Sequence, residues 1–287
     1  MRKVPVISRA ILHCLLTTVY EEINLLMTQT DIMTTSESLT LSYLASVKEL
    51  LDRAVGGQQE AIAQAAQVIA GSMAQGGLLH LFGAGHSHML VEELYGRAGG
   101  LTPVNAILIP RLMLHEDMVQ STLLERREEL AQEILADQPL QPGDVMLVIS
   151  NSGRNGLSIE VARLARQQGL SVIALTAADY SKTLSSRHST GLRLLEVADI
   201  VLDNHGQAGD ACLEFPDLRI RTGPTSTIVG AAVLNAVIVE VIARLTRLGV
   251  TPPVLISVNL AGSDESGSLA VLARAGQRLT VPKDEQH

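Results

Sequence analysis

Short apolar runs alternate with amphipathic stretches between residues 78 and 204, and this alternation restricts the fold more than any other feature of the sequence. Each run has the length of one strand, and the stretches between them have the spacing of helices. Strands and helices in this alternation predict a parallel sheet wrapped by helices. The predicted strands are 78–83, 103–110, 144–150, 171–176 and 199–204, and the predicted helices are 91–98, 121–135 and 157–169.

Helical spacing also occurs before the first strand. It predicts two helices, at 41–55 and 60–75, or one helix bent at Gly56-Gly57. A chain of 287 residues is long enough for one large domain. We expect residues 1–38 to be a peripheral extension, residues 39–270 to form a single domain and residues 271–287 to be a tail.

Composition limits the partners. Hydrophobic residues make up 46% of the chain and aromatic residues 2%, so the core must be aliphatic. A net charge of -8 without a Lys/Arg run disfavours nucleic acid. Cys14 and Cys212 are too few for a disulfide framework, which indicates a reducing, cytoplasmic setting. Arg9 and His13 interrupt the N-terminal apolar run, which is shorter than the roughly 20 residues of a membrane span, so no membrane partner is expected.

Polar residues follow the predicted strands where each one ends. Because the carboxyl ends of parallel strands lie along one edge of a sheet, these residues should line one crevice. Two of the connections combine small residues, hydroxyl groups and an imminent helix N-terminus, which directs backbone NH groups at an anion. The expected ligand group is therefore a phosphate. The polar connections are 83–88, 150–155, 176 and 203–206.

Three familiar motifs do not fit these positions. The dinucleotide fingerprint requires a third glycine where His88 stands. The nucleophile elbow requires a glycine two residues after its serine, but Met89 follows Ser87 at that distance. A GK[ST] phosphate loop does not occur in the sequence. The remaining cradle of Ser, Asn and Gly suits a small phosphorylated ligand.

The motifs GAGHSHM (83–89), ISNSGRN (149–155) and GPTST (223–227) resemble those of the sugar isomerase (SIS) domain, a phosphosugar-binding fold. The chain is most similar to a bacterial SIS family related to phosphoheptose isomerase, because EEL, RAGG, SRH, DN, GDA and PPV also occur in that family's order. The resemblance covers residues 40–270. It implies a flavodoxin-like, three-layer α/β/α fold with about five parallel strands, in a homodimer or homotetramer with sites near subunit borders.

The resemblance also implies which residues hold the phosphate. In SIS proteins the loop after the central strand and the turn after the first strand bind it. The matching residues here are Ser150, Asn151, Ser152 and Asn155 in the loop and Ser87 in the turn.

Glu93, in the stretch EELYGR, matches the catalytic glutamate of phosphoheptose isomerase. The second acid/base of that enzyme, a histidine on the late helix, has no counterpart in residues 225–245. The etherase that removes lactate from N-acetylmuramic acid 6-phosphate also has a glycine turn and an early-helix glutamate, so lyase or etherase chemistry remains an alternative.

Two histidines flank Ser87 in the first turn. His86 and His88 are candidates for binding substrate hydroxyls, for acid/base catalysis or for metal binding. His115 and His205 follow other strands and would complete a metal site if they converged. Spacing across separate loops supports a metal only weakly. Neither a metal nor an organic cofactor is expected.

Three basic residues have two interpretations each. Arg154 either pairs with the phosphate or caps a helix. Arg187 and His188, in SSRHSTG, either contact the ligand or pin their loop, and pinning is favoured.

The late segment 221–245 has Pro224 placed for the first turn of a predicted helix. Its residues are apolar nearly all round until Glu240, which fits either a subunit interface or a central core helix. After it, residues 252–265 are predicted to form an extended segment, in which Asn259 either faces the site or turns the chain. Thr225, Ser226 and Thr227 lie beside exposed NH groups and are predicted to bind substrate.

The sequence therefore predicts a cytoplasmic protein of carbohydrate metabolism that binds a sugar phosphate. As an enzyme, it would interconvert an aldose and a ketose through an enediol, with Glu93 as the base and His86 or His88 acting at oxygen. A regulator that binds the phosphosugar without turning it over is the alternative from another class.

Overall fold

The computed structural model describes residues 29–215 and 219–257. The chain divides into two units, residues 1–46 and 47–287, and the described part of the first unit belongs to helix α1 (Gln29–Leu51). The predicted division into 1–38, 39–270 and 271–287 stays a prediction. Cys14 and Asn259 lie outside the described residues.

Five parallel strands form the central sheet of the second unit, in the order β2-β1-β3-β4-β5. This confirms the predicted flavodoxin-like α/β class. The order reverses between β1 and β3, and a crevice opens beyond the carboxyl ends of strands at such a point. The strands are β1 (Leu79–Gly83), β2 (Val104–Ile107), β3 (Val145–Ile149), β4 (Ser171–Thr176) and β5 (Ile200–Asp203).

Helices cover both faces of this sheet and complete three layers. A π-helical turn (Asp52–Gly56) separates α1 from α2, which agrees with the predicted break near Gly56-Gly57. A short antiparallel hairpin, β6 (Leu213–Phe215) and β7 (Ile220–Thr222), stands apart from the main sheet. In chain order the further helices are α2 (Gln59–Ala74), α3 (His88–Leu94), α4 (Met118–Leu124), α5 (Leu130–Ala136), α6 (Gly156–Gln167), α7 (Ala178–Lys182), α8 (Leu194–Val197) and α9 (Ser226–Arg247).

The two faces of the strands carry two separate aliphatic cores. Leu147 and its neighbours on one face pack with α2, α3 and α9, and Val148 on the other face packs with α5, α6 and α8. All five residues of β1 and of β3 are buried. Strands buried on both faces have continuous apolar sequences, which is why these runs predicted a covered parallel sheet.

Two predicted helices differ from the observed ones. The helix expected at 91–98 ends at Leu94, and the chain turns at Gly96, whose φ of +66° favours glycine. The helix expected at 121–135 is split into α4 and α5. Between them, the Glu125 carbonyl accepts a hydrogen bond from Leu157 N at 3.2 Å, which draws that carbonyl out of the helix.

Helix α9 is buried on one face only. Val233 and Val237 are buried in the first core, whereas Ile228 and Val239 are exposed. The central-core interpretation is confirmed for the buried face, and the subunit interface stays a prediction for the exposed one. Among the described residues, α9 alone is long and apolar enough to cross a bilayer, a property that it shares with core helices of globular proteins.

Candidate functional site

A cleft of about 380 Å³ opens at the carboxyl edge of the sheet, where β1 and β3 end. The first turn, the loop after β3, α4 and a 3-10 turn before the hairpin contribute its walls. Its lining residues are Ala84, Gly85, His86, Ser87, Leu114, Thr122, Glu125, Ser150, Asn151, Ser152, Asn155, Ser158, Tyr180, Gly209 and Asp210. Six of the predicted site residues therefore line the same cleft, although they come from two separate connections.

Glycines shape the first wall. A Cβ atom on Gly83 would lie 2.7 Å from the Ser87 carbonyl oxygen, so only glycine allows the chain to fold back there. Gly85 has φ of +57°, which glycine adopts without strain. This tight turn leads directly into α3 and places His86 and Ser87 on the cleft surface.

The loop after β3 forms the second wall. Gly153 has φ of +58°, and a Cβ atom there would lie 2.8 Å from Ser181 Oγ. Asn151 ties the loop to the end of β5, because its Oδ1 accepts from Asn204 Nδ2 at 2.9 Å. Asn155 occupies the N-cap position of α6 but makes no side-chain capping bond. The first turn of this twelve-residue helix thus adjoins the cleft without a side-chain cap.

Three hydroxyl groups in the cleft are available to a ligand. Within the described residues, the side chains of Ser87, Ser150 and Ser152 have no hydrogen-bond partner, although all three line the cleft. Each hydroxyl can donate one hydrogen bond and accept others. This set of donors beside a helix N-terminus is suited to an oxyanion.

The four candidate metal ligands do not converge. His86 is exposed and lines the cleft, whereas His88 is buried, and its Nδ1 contacts the Gly85 carbonyl oxygen. The rings of His88 and His115 lie 5.9 Å apart, and His205 pairs with Asp203 at 3.3 Å. In the part of the chain that the structure describes, no three His, Cys, Asp or Glu residues form a metal-binding group.

Glu93 lies outside the cleft lining. Its carboxylate accepts hydrogen bonds from Arg97 Nη1 and, at 2.9 Å, from Asn235 Nδ2 on α9. The structure of one chain therefore does not bring Glu93 together with the serine hydroxyls, and its catalytic role stays a prediction.

The GPTST turn adjoins the cleft through another residue. Asp210, which lines the cleft, accepts hydrogen bonds from Thr225 N at 3.1 Å, Ser226 N at 2.9 Å and Ser226 Oγ at 2.5 Å. An internal carboxylate thus occupies the N-terminus of α9. Thr225, Ser226 and Thr227 are not among the residues that line the cleft.

Arg154 and His188, near the loop after β3, bond to neighbouring segments of the chain. Arg154 Nη2 donates to Ser185 Oγ at 3.1 Å, while its buried Nε has no partner. His188 bonds to Glu160 at 2.9 Å and to Thr190 at 2.8 Å, which agrees with the interpretation that it pins its loop.

Comparison with known proteins supports the family assignment. Residues 42–177 match the model of the SIS domain. A UPF0309 protein of Geobacillus kaustophilus is 43% identical over 223 residues, which cover 78% of this chain and 89% of that protein. A UPF0309 protein of Halalkalibacterium halodurans is 41% identical, covering 80% of this chain and 92% of that protein. The chain belongs to the UPF0309 family. The resemblance to the SIS domain is thereby confirmed.

Two solved structures are similar to this chain at lower identity. A phosphoheptose isomerase from Francisella tularensis has 17% identity and a TM-score of 0.47, over 75% of this chain and 98% of that one. The Vibrio vulnificus NanR protein, complexed with ManNAc-6P, has 17% identity and a TM-score of 0.44, over 86% and 70%. These values carry no inference about the function of the UPF0309 chain.

Glu125 is the main site residue that the sequence analysis missed in this UPF0309 chain. It follows α4 and lines the cleft. Burial raises the pKa of the Glu125 carboxyl above 4.5, although Asn155, Arg126 and Arg187 act in the opposite direction. A half-buried carboxyl of this kind in a cleft is a candidate acid or base.

Proposed function

We propose that this UPF0309 protein binds a sugar phosphate in the cleft, with the phosphate group held by Ser150, Ser152 and Ser87. The unpartnered hydroxyls of these three serines are the observation that carries the proposal. Their position beside the N-terminus of α6 adds backbone NH groups and the positive end of a helix dipole.

Positive charge behind the loop also favours an anion. The pKa of Arg187 is lowered, first by burial and then by the nearby guanidinium groups of Arg154 and Arg126. The guanidinium groups of Arg154 and Arg126 thus lie near that of Arg187, next to residues 150–155, and Glu125 offsets part of this positive charge. Arg154 therefore supports phosphate binding electrostatically, while its Nη2 bond also holds the Ser185 loop.

We further propose aldose–ketose isomerisation as the reaction. This chemistry needs a base for the proton next to the carbonyl and a group that exchanges protons with the two oxygens. His86, exposed on the cleft surface, is available for the second role. Glu93 was predicted for the first role, but it bonds to Arg97 and Asn235 outside the cleft lining. A substrate would have to reach beyond the described cleft to contact it. A non-catalytic sensor and a lyase or etherase are the alternatives that an experiment must separate.

Thermal shift measurements test the binding proposal. Glucose 6-phosphate, fructose 6-phosphate and ribose 5-phosphate would be compared with glucose and inorganic phosphate. A ligand at about 100 times its Kd stabilises the folded state by about 2.7 kcal/mol. We expect this stabilisation from a sugar phosphate and not from glucose, and a panel without any shift would contradict the proposal.

NMR in deuterated water then separates the classes. An isomerase exchanges the proton next to the carbonyl with solvent and forms the isomeric sugar. A sensor binds without exchange, and an etherase eliminates a substituent from its substrate.

We also propose that the chain self-associates in the cytoplasm. Ile228 and Val239 are eleven residues apart on α9, which places both exposed side chains on one stripe of the helix. Met89 on α3 is also exposed. We expect a homodimer or homotetramer by light scattering, and Val239→Glu should shift it toward the monomer.

A further inference from the structure

Glu125 stands where the two walls of the cleft meet. A Cβ atom on Gly85 would lie 3.6 Å from Glu125 Oε2, so the carboxylate faces the first turn directly. On its other side Asn155, at the end of the serine loop, lies close enough to lower the pKa of the Glu125 carboxyl. Glu125 thus reaches both connections that are proposed to hold the ligand.

The orientation of Asn155 toward Glu125 is determined by Arg187. Arg187 Nη1 donates to Asn155 Oδ1 at 2.9 Å. A guanidinium has only donors, so the amide turns its oxygen toward Arg187 and its NH2 group remains available to an acceptor such as the Glu125 carboxylate.

Burial and charge tune the same group. Desolvation raises the pKa of Glu125 above its ordinary value, and Asn155 and the charges of Arg126 and Arg187 limit the rise. His86, Tyr180 and Asp210 are the other titratable groups that line the cleft. A carboxylate with increased proton affinity is a stronger base than an exposed one.

We infer that Glu125 is the catalytic base of the cleft, and that it moves the proton between the carbonyl carbon of the sugar phosphate and the hydroxyl-bearing carbon next to it. This inference rests on the proposed function. It differs from the sequence prediction, which gave the role to Glu93, because Glu125 lines the cleft with the serine hydroxyls and Glu93 does not.

The proton transfer balances in two half-steps. The Glu125 carboxylate takes the proton from the carbon next to the carbonyl, and the electron pair of that C–H bond forms the double bond of an enediol. His86 supplies the proton that the carbonyl oxygen takes up. In the second half-step the neighbouring hydroxyl returns a proton to His86 and becomes the carbonyl, while Glu125 returns its proton to the other carbon.

Two matched variants test this assignment. Glu125→Gln and Glu93→Gln each remove one negative charge and keep the shape of the side chain. Calorimetry would measure the Kd of each variant for the sugar phosphate that shifts the wild type, and NMR would measure exchange of its carbon-bound proton with deuterated water.

We expect Glu125→Gln to bind the sugar phosphate with nearly wild-type affinity and to lose about 100- to 10,000-fold in exchange rate, the usual contribution of a general base. The rate of the wild type should rise with pH as Glu125 ionises, and this rise should be absent in the variant. Glu125→Asp should restore part of the exchange.

If Glu125→Gln exchanges the proton at a rate within about tenfold of the wild type, the loss is smaller than a general base contributes, and the assignment is overturned. Loss of exchange in Glu93→Gln alone would return the role to Glu93. Binding by the wild type without any exchange would overturn catalysis by Glu125 and leave the binding proposal intact. Failure of the wild type to bind any sugar phosphate would instead refute the proposed function itself.

Discussion

Replacing Ser152 by alanine removes one proposed phosphate ligand and nothing else from the folded chain. The Ser152 hydroxyl lines the cleft and has no hydrogen-bond partner within the described residues. Its loss should therefore leave the melting temperature of the free protein unchanged. The whole effect should fall on ligand binding.

The size of the effect follows from the type of bond. A hydrogen bond to a charged group contributes about 1.5–3 kcal/mol. Ser152→Ala should therefore raise the Kd for a sugar phosphate about 10- to 150-fold. Calorimetric titration of both proteins gives the two constants, and thermal unfolding without ligand confirms equal stability.

Ser72→Ala is the matched control. Ser72 Oγ donates to the Gly143 carbonyl at 2.7 Å, and Gly143 precedes β3, at the edge of the sheet opposite the cleft. This variant should lose about 1 kcal/mol of stability and keep its affinity. Unchanged affinity in Ser152→Ala, or an equal loss in Ser72→Ala, would refute the assignment of the phosphate to this loop.

Three further predictions concern stability. Gly153→Ala should lower the free energy of unfolding in urea by about 1–3 kcal/mol, because φ is +58° and the Cβ has no room; equal stability would contradict this geometry. Asp210→Ala should cost about 1 kcal/mol in thermal unfolding, because the N-terminus of α9 loses its acceptor; an unchanged melting curve would contradict that role. Because the pKa of Glu125 is raised, the folded state binds the carboxyl proton more tightly than the unfolded state does. Protonation of Glu125 therefore stabilises the fold fully below pH 4.5, and this stabilisation is lost as pH rises through the folded pKa. Glu125→Gln should therefore gain stability over the wild type at neutral pH but not at low pH, and a constant difference between the two would contradict the shift.

The sheet could be predicted from sequence because its strands are buried on both faces. Such strands are continuous apolar runs, and the glycines and polar residues that follow them mark where each one ends. The split between α4 and α5 could not be predicted, because it depends on a bond from Leu157 N to the Glu125 carbonyl in a distant part of the chain. The β6–β7 hairpin was also missed, since its exposed or half-buried residues give no strong apolar alternation.

Some residues of the candidate site could also be predicted from the sequence, and others could not. Ser87, Ser150 and Ser152 could be predicted because strand ends in a parallel sheet share one edge. Glu125 begins the run ERREE, which has the character of a solvated helical face, and only the end of α4 at Leu124 turns it into the cleft. Asp210 has φ of +53°, and its partnership with the start of α9 depends on a loop conformation that no local pattern indicates.

A crystal structure with bound fructose 6-phosphate would test the central claim most directly. We expect phosphate oxygen atoms within hydrogen-bond distance of Ser150 Oγ and Ser152 Oγ, at the N-terminus of α6. A phosphate bound outside this loop, with both hydroxyls still free, would contradict it.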